Sequence, residues 1–347
     1  MIIVPILLFA VGLVFLIKGG DWFVDGATGI ARRFHLPELL IGATVVSIGT
    51  TLPEVMVSAT SAFQGSGAMA YGNAIGSIIC NTSLIAALTI AIKPGKADRK
   101  TLIFPVCFFF GAAIFYSVIA YAFGYFSRTV GAILLLGFVA YMVMNVINMK
   151  RSPAPEVAEE AEEESSSLSD EEYSSLSFGK KLLANITGKK NSIAREIVLL
   201  VMGAAVIAVG ADLLVDNGII IAEKIGVPES VIALTFVALG TSLPELVTAI
   251  TSLAKGHGSL SLGNIIGANL FNLVLVSGVS VLIAPFPIPS AQQIAGINSS
   301  LVLDIPVMLA VMLIMTVPAI IRQKLSRVQG IALLAIYVGF LACQFIL

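Results

Sequence analysis

Charge is what this chain has least of. Only 12% of its 347 residues are Asp, Glu, Lys or Arg, the net charge is −1, and there are two histidines and one tryptophan. No basic patch with interleaved aromatics exists, which excludes nucleic-acid binding. The three cysteines, Cys80, Cys107 and Cys343, are odd in number, lack metal-ligand spacing and lie in apolar segments. They read as small core residues and not as a disulfide frame. No Ser/His pairing or His-Glu-x-x-His arrangement is present, so no hydrolase or zinc-enzyme motif claims the chain. The first residues run directly into Ile2–Ile17 without a basic leader, which predicts a first membrane helix and not a cleaved signal.

What is abundant is apolar sequence: 57% of the residues are hydrophobic and mean hydropathy is +0.99. That defines an integral membrane protein. Apolar runs predict ten spans, at about 3–30, 37–63, 69–92, 102–123, 130–148, 195–222, 229–254, 260–284, 301–321 and 328–346. With the N-terminus outside, seventeen of the twenty Lys and Arg fall in inward connections, whereas the outward side keeps only Arg128 and Lys224 and Lys18 lies within a span. The positive-inside rule then sets both termini outside in the cell membrane. Between the fifth and sixth spans, residues 149–193 change character. Glu156, Glu159, Glu160, Glu162, Glu163 and Glu164 precede Ser165–Ser167, which predicts a flexible cytoplasmic linker, with Phe178–Ile186 as a short surface helix.

The chain contains one stretch twice. Ile48-Gly49-Thr50-Thr51-Leu52-Pro53-Glu54 returns as Leu239-Gly240-Thr241-Ser242-Leu243-Pro244-Glu245. An offset of 191 aligns Gly19–Asn81 with Gly210–Asn272 without a gap, and 25 of the 63 positions are identical. Matched pairs include Asp21 with Asp212, Asp25 with Asp216, Asn73 with Asn264 and Asn81 with Asn272. Five spans per half make the second half enter from the opposite side. The predicted fold is therefore all-α, ten transmembrane helices in two inverted five-helix repeats, 1–148 and 194–347, with motif regions 42–82 and 233–273. The second and seventh helices are expected to break at their prolines. Inverted repeats with interrupted helices point to a transport site near the midplane.

A carboxylate at that depth costs roughly 2.5–3.5 kcal/mol on insertion scales. A proline one residue earlier frees the carbonyl of Gly49 or Gly240. Glutamate, hydroxyls and freed carbonyls make a hard oxygen set suited to Ca²⁺ and similar cations. Helical spacing puts Ser47, Thr51, Glu54 and Ser58 on one face, with Thr50 beside them. In the third span Asn73, Ser77 and Asn81 form a polar stripe; in the eighth, Asn264 and Asn272 persist, Ala268 replaces the serine, and Asn269 is added. Proline kinks and amides also serve helix packing, yet packing does not explain two carboxylates in matching contexts. Asp21/Asp25 and Asp212/Asp216, near span ends, read as inter-helix or interfacial groups, and no motif claims His35 or His257.

The paired Gly-Thr-[Thr/Ser]-Leu-Pro-Glu stretches, each followed by Gly-Asn-x-x-Gly, resemble the α-repeats of the sodium/calcium exchangers, in the prokaryotic branch of the calcium/cation antiporter superfamily. The resemblance covers the whole membrane part. It implies a secondary antiporter, not an enzyme, exchanging Na⁺ for Ca²⁺ by alternating access. These ions are transported rather than held as prosthetic groups, and membrane lipid is the only other partner, with no obligate protein partner. It also implies the ligands: Glu54 and Glu245 shared by both ions; Thr50 and Thr241 with Thr51 and Ser242 beside them; carbonyls at Ser47 and Ala238; and Ser77, Asn81 and Asn272 completing the sodium positions. Many relatives carry aspartate at Asn272 and serine at Ala268. Two negative charges then remain, matching one Ca²⁺. Proton-coupled relatives place their glutamate in a Gly-Asn-Ala-x-Glu context, which is absent here, so sodium coupling is favoured; proton coupling of the same architecture and a cation channel are the alternatives.

Overall fold

In the computed structural model, the described residues are 3–151, 193–224, 240–289, 293–294 and 296–346. They form ten helices: α1 (Ile3–Arg33), α2 (Glu38–Phe63), α3 (Gly67–Ile92), α4 (Arg99–Phe123), α5 (Arg128–Arg151), α6 (Ile193–Lys224), α7 (Leu243–Ala254), α8 (Gly258–Ile283), α9 (Ser300–Arg322) and α10 (Arg327–Ile346). Among the described residues, all but α7 are long and apolar enough to cross a membrane. The upstream part of the predicted seventh span, through residue 239, lies outside the described residues, as do nearly all of the linker and Phe178–Ile186. The protein is an all-helical, multi-pass membrane protein. Its outer surface shows this directly, since Ile3, Leu7, Val14, Leu136 and Ile321 face outward where lipid tails would cover them. Of the cysteines only Cys80 is buried; Cys107 and Cys343 lie on that outer surface, contrary to the core reading, and all three are free thiols.

The expected break in the second helix is absent. α2 stays helical through Pro53, and its irregularity lies upstream, where Gly42–Val46 is a π-helix. A single interior proline removes one hydrogen bond, which a bend absorbs without ending the helix. In the second half the interruption is present. Gly240 is helical, Thr241 and Ser242 form a turn, and α7 starts at Leu243 with Pro244 in its first turn.

Connections pair at the two ends of the bundle. Tyr125–Phe126 (β1), between α4 and α5, pairs antiparallel with Phe286–Pro287 (β2), between α8 and α9. Phe126 stacks on Tyr116 there. At the other end of α4, Ala97 N donates to Gln323 O (3.0 Å) and Leu325 N to Gly95 O (2.9 Å), joining the α3–α4 and α9–α10 connections. Asp98 caps the N-terminus of α4 by accepting from the amides of Lys100 and Thr101.

Two layers result. Ile75, Phe109, Tyr116, Phe271 and Met312 centre a large core built mainly from α3, α4, α8 and α9. A separate cluster, including Leu16, Phe23, Ile207 and Ala211, joins α1 to α6 and to the start of α2. The α1–α6 contact is close because glycines recur every seven residues, Gly12, Gly19 and Gly26 facing Gly203 and Gly210. A Cβ at Gly19 would lie 2.8 Å from Ile207 N, and one at Gly210 would lie 2.9 Å from Leu16 N. The Arg33–Glu196 ion pair, 3.0 Å, closes one end of this pair.

Candidate ion site

The polar faces read from helical spacing converge between the two layers. Ser47, Thr50, Thr51, Glu54 and Ser58 of α2 are all buried, as are Ser77 and Asn81 of α3. In the second half Ser242, Glu245 and Asn272 are buried likewise. Both glutamates have no solvent exposure at all. Thr50 and Glu54 of the first half both lie near Glu245 of the second. The α7 helix touches the Asn81–Ala86 segment while α2 touches Asn272–Val276, so each glutamate-bearing helix meets the amide-bearing segment of the other half. Ala238 lies outside the described residues.

Ten side-chain atoms at these predicted positions accept or donate no hydrogen bond: Thr51 Oγ1, Ser242 Oγ, both oxygens of Glu54 and Glu245, and the amide atoms of Asn81 and Asn272. Buried polar groups are nearly always paired, and each left unpaired costs about 1–3 kcal/mol, more when charged. Their concentration at one place marks a site for a ligand that brings positive charge. Among the described residues no three of His, Cys, Asp and Glu cluster, so carboxylate charge is limited to the two glutamates and the other donors are neutral oxygens. Such a set fits a transported hard cation better than a resident transition metal.

Three features were missed in the sequence. First, Asn81 and Asn272 each open a π-helical stretch, Asn81–Ala86 and Asn272–Val276, at positions related by the repeat. A π turn releases backbone carbonyls from the regular ladder and is frequent at functional sites. Ser277 Oγ answers one of these, donating to Asn272 O at 3.1 Å, as Ser47 Oγ does to Gly42 O at 2.7 Å. Second, Thr248 and Ser252 continue the buried face of Glu245 along α7, and their hydroxyls are also unpartnered. A count of small polar residues at three- and four-residue spacing after Glu245 would have found them. Third, Asn269 joins a second network, donating from Nδ2 to Thr82 Oγ1 at 2.7 Å.

A cleft of about 910 Å³ runs along α6 to the motif stretches, lined by Gly49, Thr50, Pro53, Asp212, Asp216 and Thr241 among others. The acids matched to Asp212 and Asp216 are engaged elsewhere. Lys255, in the α7–α8 connection, pairs with Asp25 at 2.8 Å and with Asp21 at 3.3 Å, the inter-helix role expected for that pair. His257 of the same connection meets Glu38 at 2.7 Å.

Fold and site together describe a multi-pass membrane protein in which each of two matching halves carries one fully buried, unpartnered carboxylate. Comparison with known proteins makes this specific. The family model described as sodium/calcium exchanger protein matches residues 4–147 and 195–346, and the chain belongs to that family. It is an exchanger of cations and calcium and not an enzyme. The sodium/calcium exchanger MaX1 of Methanosarcina acetivorans is 31% identical over 99% of both chains. The putative antiporter CaxA of Alkalimonas amylolytica is 34% identical over 95% of both. A structure of the sodium-calcium exchanger NCX_Mj soaked with Na⁺ and Sr²⁺ superposes with a TM-score of 0.78 at 31% identity, covering 99% of each chain.

Proposed function

We propose that this protein is a secondary active antiporter that exchanges Na⁺ for Ca²⁺ across the cytoplasmic membrane by alternating access. Residues 1–148 and 194–347 act as inverted five-helix repeats, the termini face outward, and the linker 149–193 lies in the cytoplasm. The ion site comprises Glu54 and Glu245, with Thr50, Thr51, Thr241 and Ser242, carbonyls at Ser47 and Ala238, and Ser77, Asn81 and Asn272. Pairing of the α4–α5 with the α8–α9 connection supports inversion, because the repeat equates α8–α9 with α3–α4, at the other end of α4.

The observation that carries the reading is the pair of fully buried, unpartnered carboxylates at repeat-matched positions of the two halves. One Ca²⁺ neutralises both; Na⁺ ions compete for the same oxygens, so the loads exclude each other. With neither bound, two unpaired charges remain inside the protein, an arrangement too costly to occlude and carry across. That cost couples inward to outward movement. The layer of α1 and α6 is the element able to slide, and the cleft past Asp212 and Asp216 is the route to the site.

The test is ⁴⁵Ca²⁺ flux in proteoliposomes under separate Na⁺, K⁺ and H⁺ gradients. Saturable flux driven by Na⁺ alone is expected. Flux driven by a pH gradient with Na⁺ absent would replace sodium by proton coupling, and flux that fails to saturate would indicate a channel.

A further inference from the structure

Four buried helical threonines, Thr28, Thr44, Thr82 and Thr316, donate their hydroxyl protons to the carbonyl four residues back in their own helix. The threonine that follows the motif glycine in each half, Thr50 and Thr241, does otherwise. Thr50 Oγ1 donates to Asn264 Oδ1 at 3.2 Å, and Thr241 Oγ1 donates to Asn73 Oδ1 at 3.4 Å. These bonds are the same bond written twice by the repeat, each crossing from one half of the chain to the other. Asn73 is not free to turn. Asn73 Nδ2 donates to Ser58 Oγ at 2.8 Å and to the carbonyl of Glu54 at 3.2 Å. Around Asn264, Ser47 Oγ has three acceptors within reach of its single proton: Gly42 O at 2.7 Å, Asn264 O at 2.9 Å and Asn264 Oδ1 at 3.2 Å.

We propose that Asn73 and Asn264 are positioning residues of the ion site: each takes the hydroxyl proton of the motif threonine from the opposite half, so that Thr241 and Thr50 turn oxygen lone pairs and not hydrogens toward the cation. A hydroxyl can coordinate a cation only if its single proton points elsewhere. In a buried site that proton needs an acceptor, and the amide oxygen supplies one; the oxygen of Asn73 is also held in place by its own NH₂ group. Asn73 additionally fixes the peptide of Glu54, so it sets the approach of one carboxylate and of one hydroxyl from the other half. This rests on the cation-site reading above and assigns two residues that the ligand set does not contain.

The test uses purified protein in liposomes and Ca²⁺ binding by calorimetry with Ca²⁺ as the only ligand. Variants are Asn264→Leu, Thr50→Val, their double, and Thr50→Ser, with Asn73→Leu and Thr241→Val as the mirror set. Each single loss should raise the KM for Ca²⁺ and the calorimetric Kd about 10-fold with little change in maximal flux. The double should be no worse than the more severe single, because both remove one interaction. Thr50→Ser, which keeps the hydroxyl, should bind as the wild type does. Additive losses, unchanged affinity in Asn264→Leu, or a fall in maximal flux alone would overturn the assignment. Should Asn264→Leu fail to fold, Thr50→Val against Thr50→Ser decides: equal affinity in that pair rejects it. Failure of the exchange reading is separate, because it appears as absent Na⁺-driven flux in the wild type, while calorimetry still reports on the threonine–asparagine bonds.

Discussion

The two copies of the motif fold differently. In the first, Pro53 lies inside a continuous helix; in the second, Pro244 stands at a helix start, preceded by a turn at Thr241 and Ser242. Proline in a helix interior costs about 3 kcal/mol, whereas at the first turn its missing N–H would have had no partner in any case. Yet Glu54 and Glu245, one residue further on, reach the same complete burial. What the halves share is the placement of the carboxylate; the backbone route to it is free to vary. Away from the motif the halves diverge further. Asp21 and Asp25 are held by Lys255, whereas the repeat sets Gln64 opposite Asp212 and Asp216, which border the cleft.

If the carboxylates are equivalent, Glu54→Gln and Glu245→Gln must each abolish exchange. Each amide leaves one Ca²⁺ charge uncompensated in a dry site, and a loss of more than about 100-fold in Na⁺-driven ⁴⁵Ca²⁺ flux is expected for both. Wild-type flux in either variant would break the equivalence and the site with it. A smaller effect separates the halves. A Cβ on Gly263 would run into the backbone of Leu39, whereas one on Gly72, its counterpart, meets nothing within 4 Å. Gly263→Ala should therefore destabilise by about 1–3 kcal/mol, and Gly72→Ala should be neutral or slightly stabilising, as judged by thermal melting in detergent. Equal losses would mean that both glycines serve the same close approach.

Much of this was legible beforehand, for identifiable reasons. Span positions followed from hydropathy because lipid permits little besides apolar helices. Ser47, Thr51, Glu54 and Ser58 were placed on one buried face by helical spacing alone, and the structure agrees. The break expected in α2 was not there, because proline chemistry says which hydrogen bond is lost and not whether the helix ends. The π stretches at Asn81 and Asn272 escaped notice because an extra residue per turn leaves no trace in composition. The crossed threonine–asparagine bonds were equally hidden. Asn73 and Asn264 read as stripe members or as packing amides, and only the position of the opposite half shows what their oxygens receive.

The lysine difference gives a weaker test of asymmetry. Lys255 and both its aspartates are partly exposed, so the pairing is worth at most about 1 kcal/mol after solvent screening. Lys255→Gln copies the Gln64 arrangement. It should raise hydrogen–deuterium exchange at the α7–α8 connection by up to about five-fold while leaving exchange at α2–α3 unchanged. Unaltered exchange at α7–α8 would show that the pairing with Asp21 and Asp25 of α1 does not hold that connection, leaving it to His257 and Glu38.

The smallest effect concerns a partner present in one half only. Asn73 Nδ2 has Ser58 to donate to, but the position matched to Ser58 is Ala249, and Asn264 Nδ2 is buried without a partner. Ala249→Ser would supply the missing oxygen at the equivalent place on α7. A new buried hydrogen bond contributes about 0.5–1.5 kcal/mol, and fitting one more atom beside a fully buried methyl offsets part of it, leaving a gain of about 0.5 kcal/mol. A small rise in melting temperature, lost again in the Ala249→Ser, Asn264→Leu double variant, is the expected result. A fall would mean that Asn264 Nδ2 points away from α7, and that the repeat preserves the asparagine's oxygen contacts but not its nitrogen's.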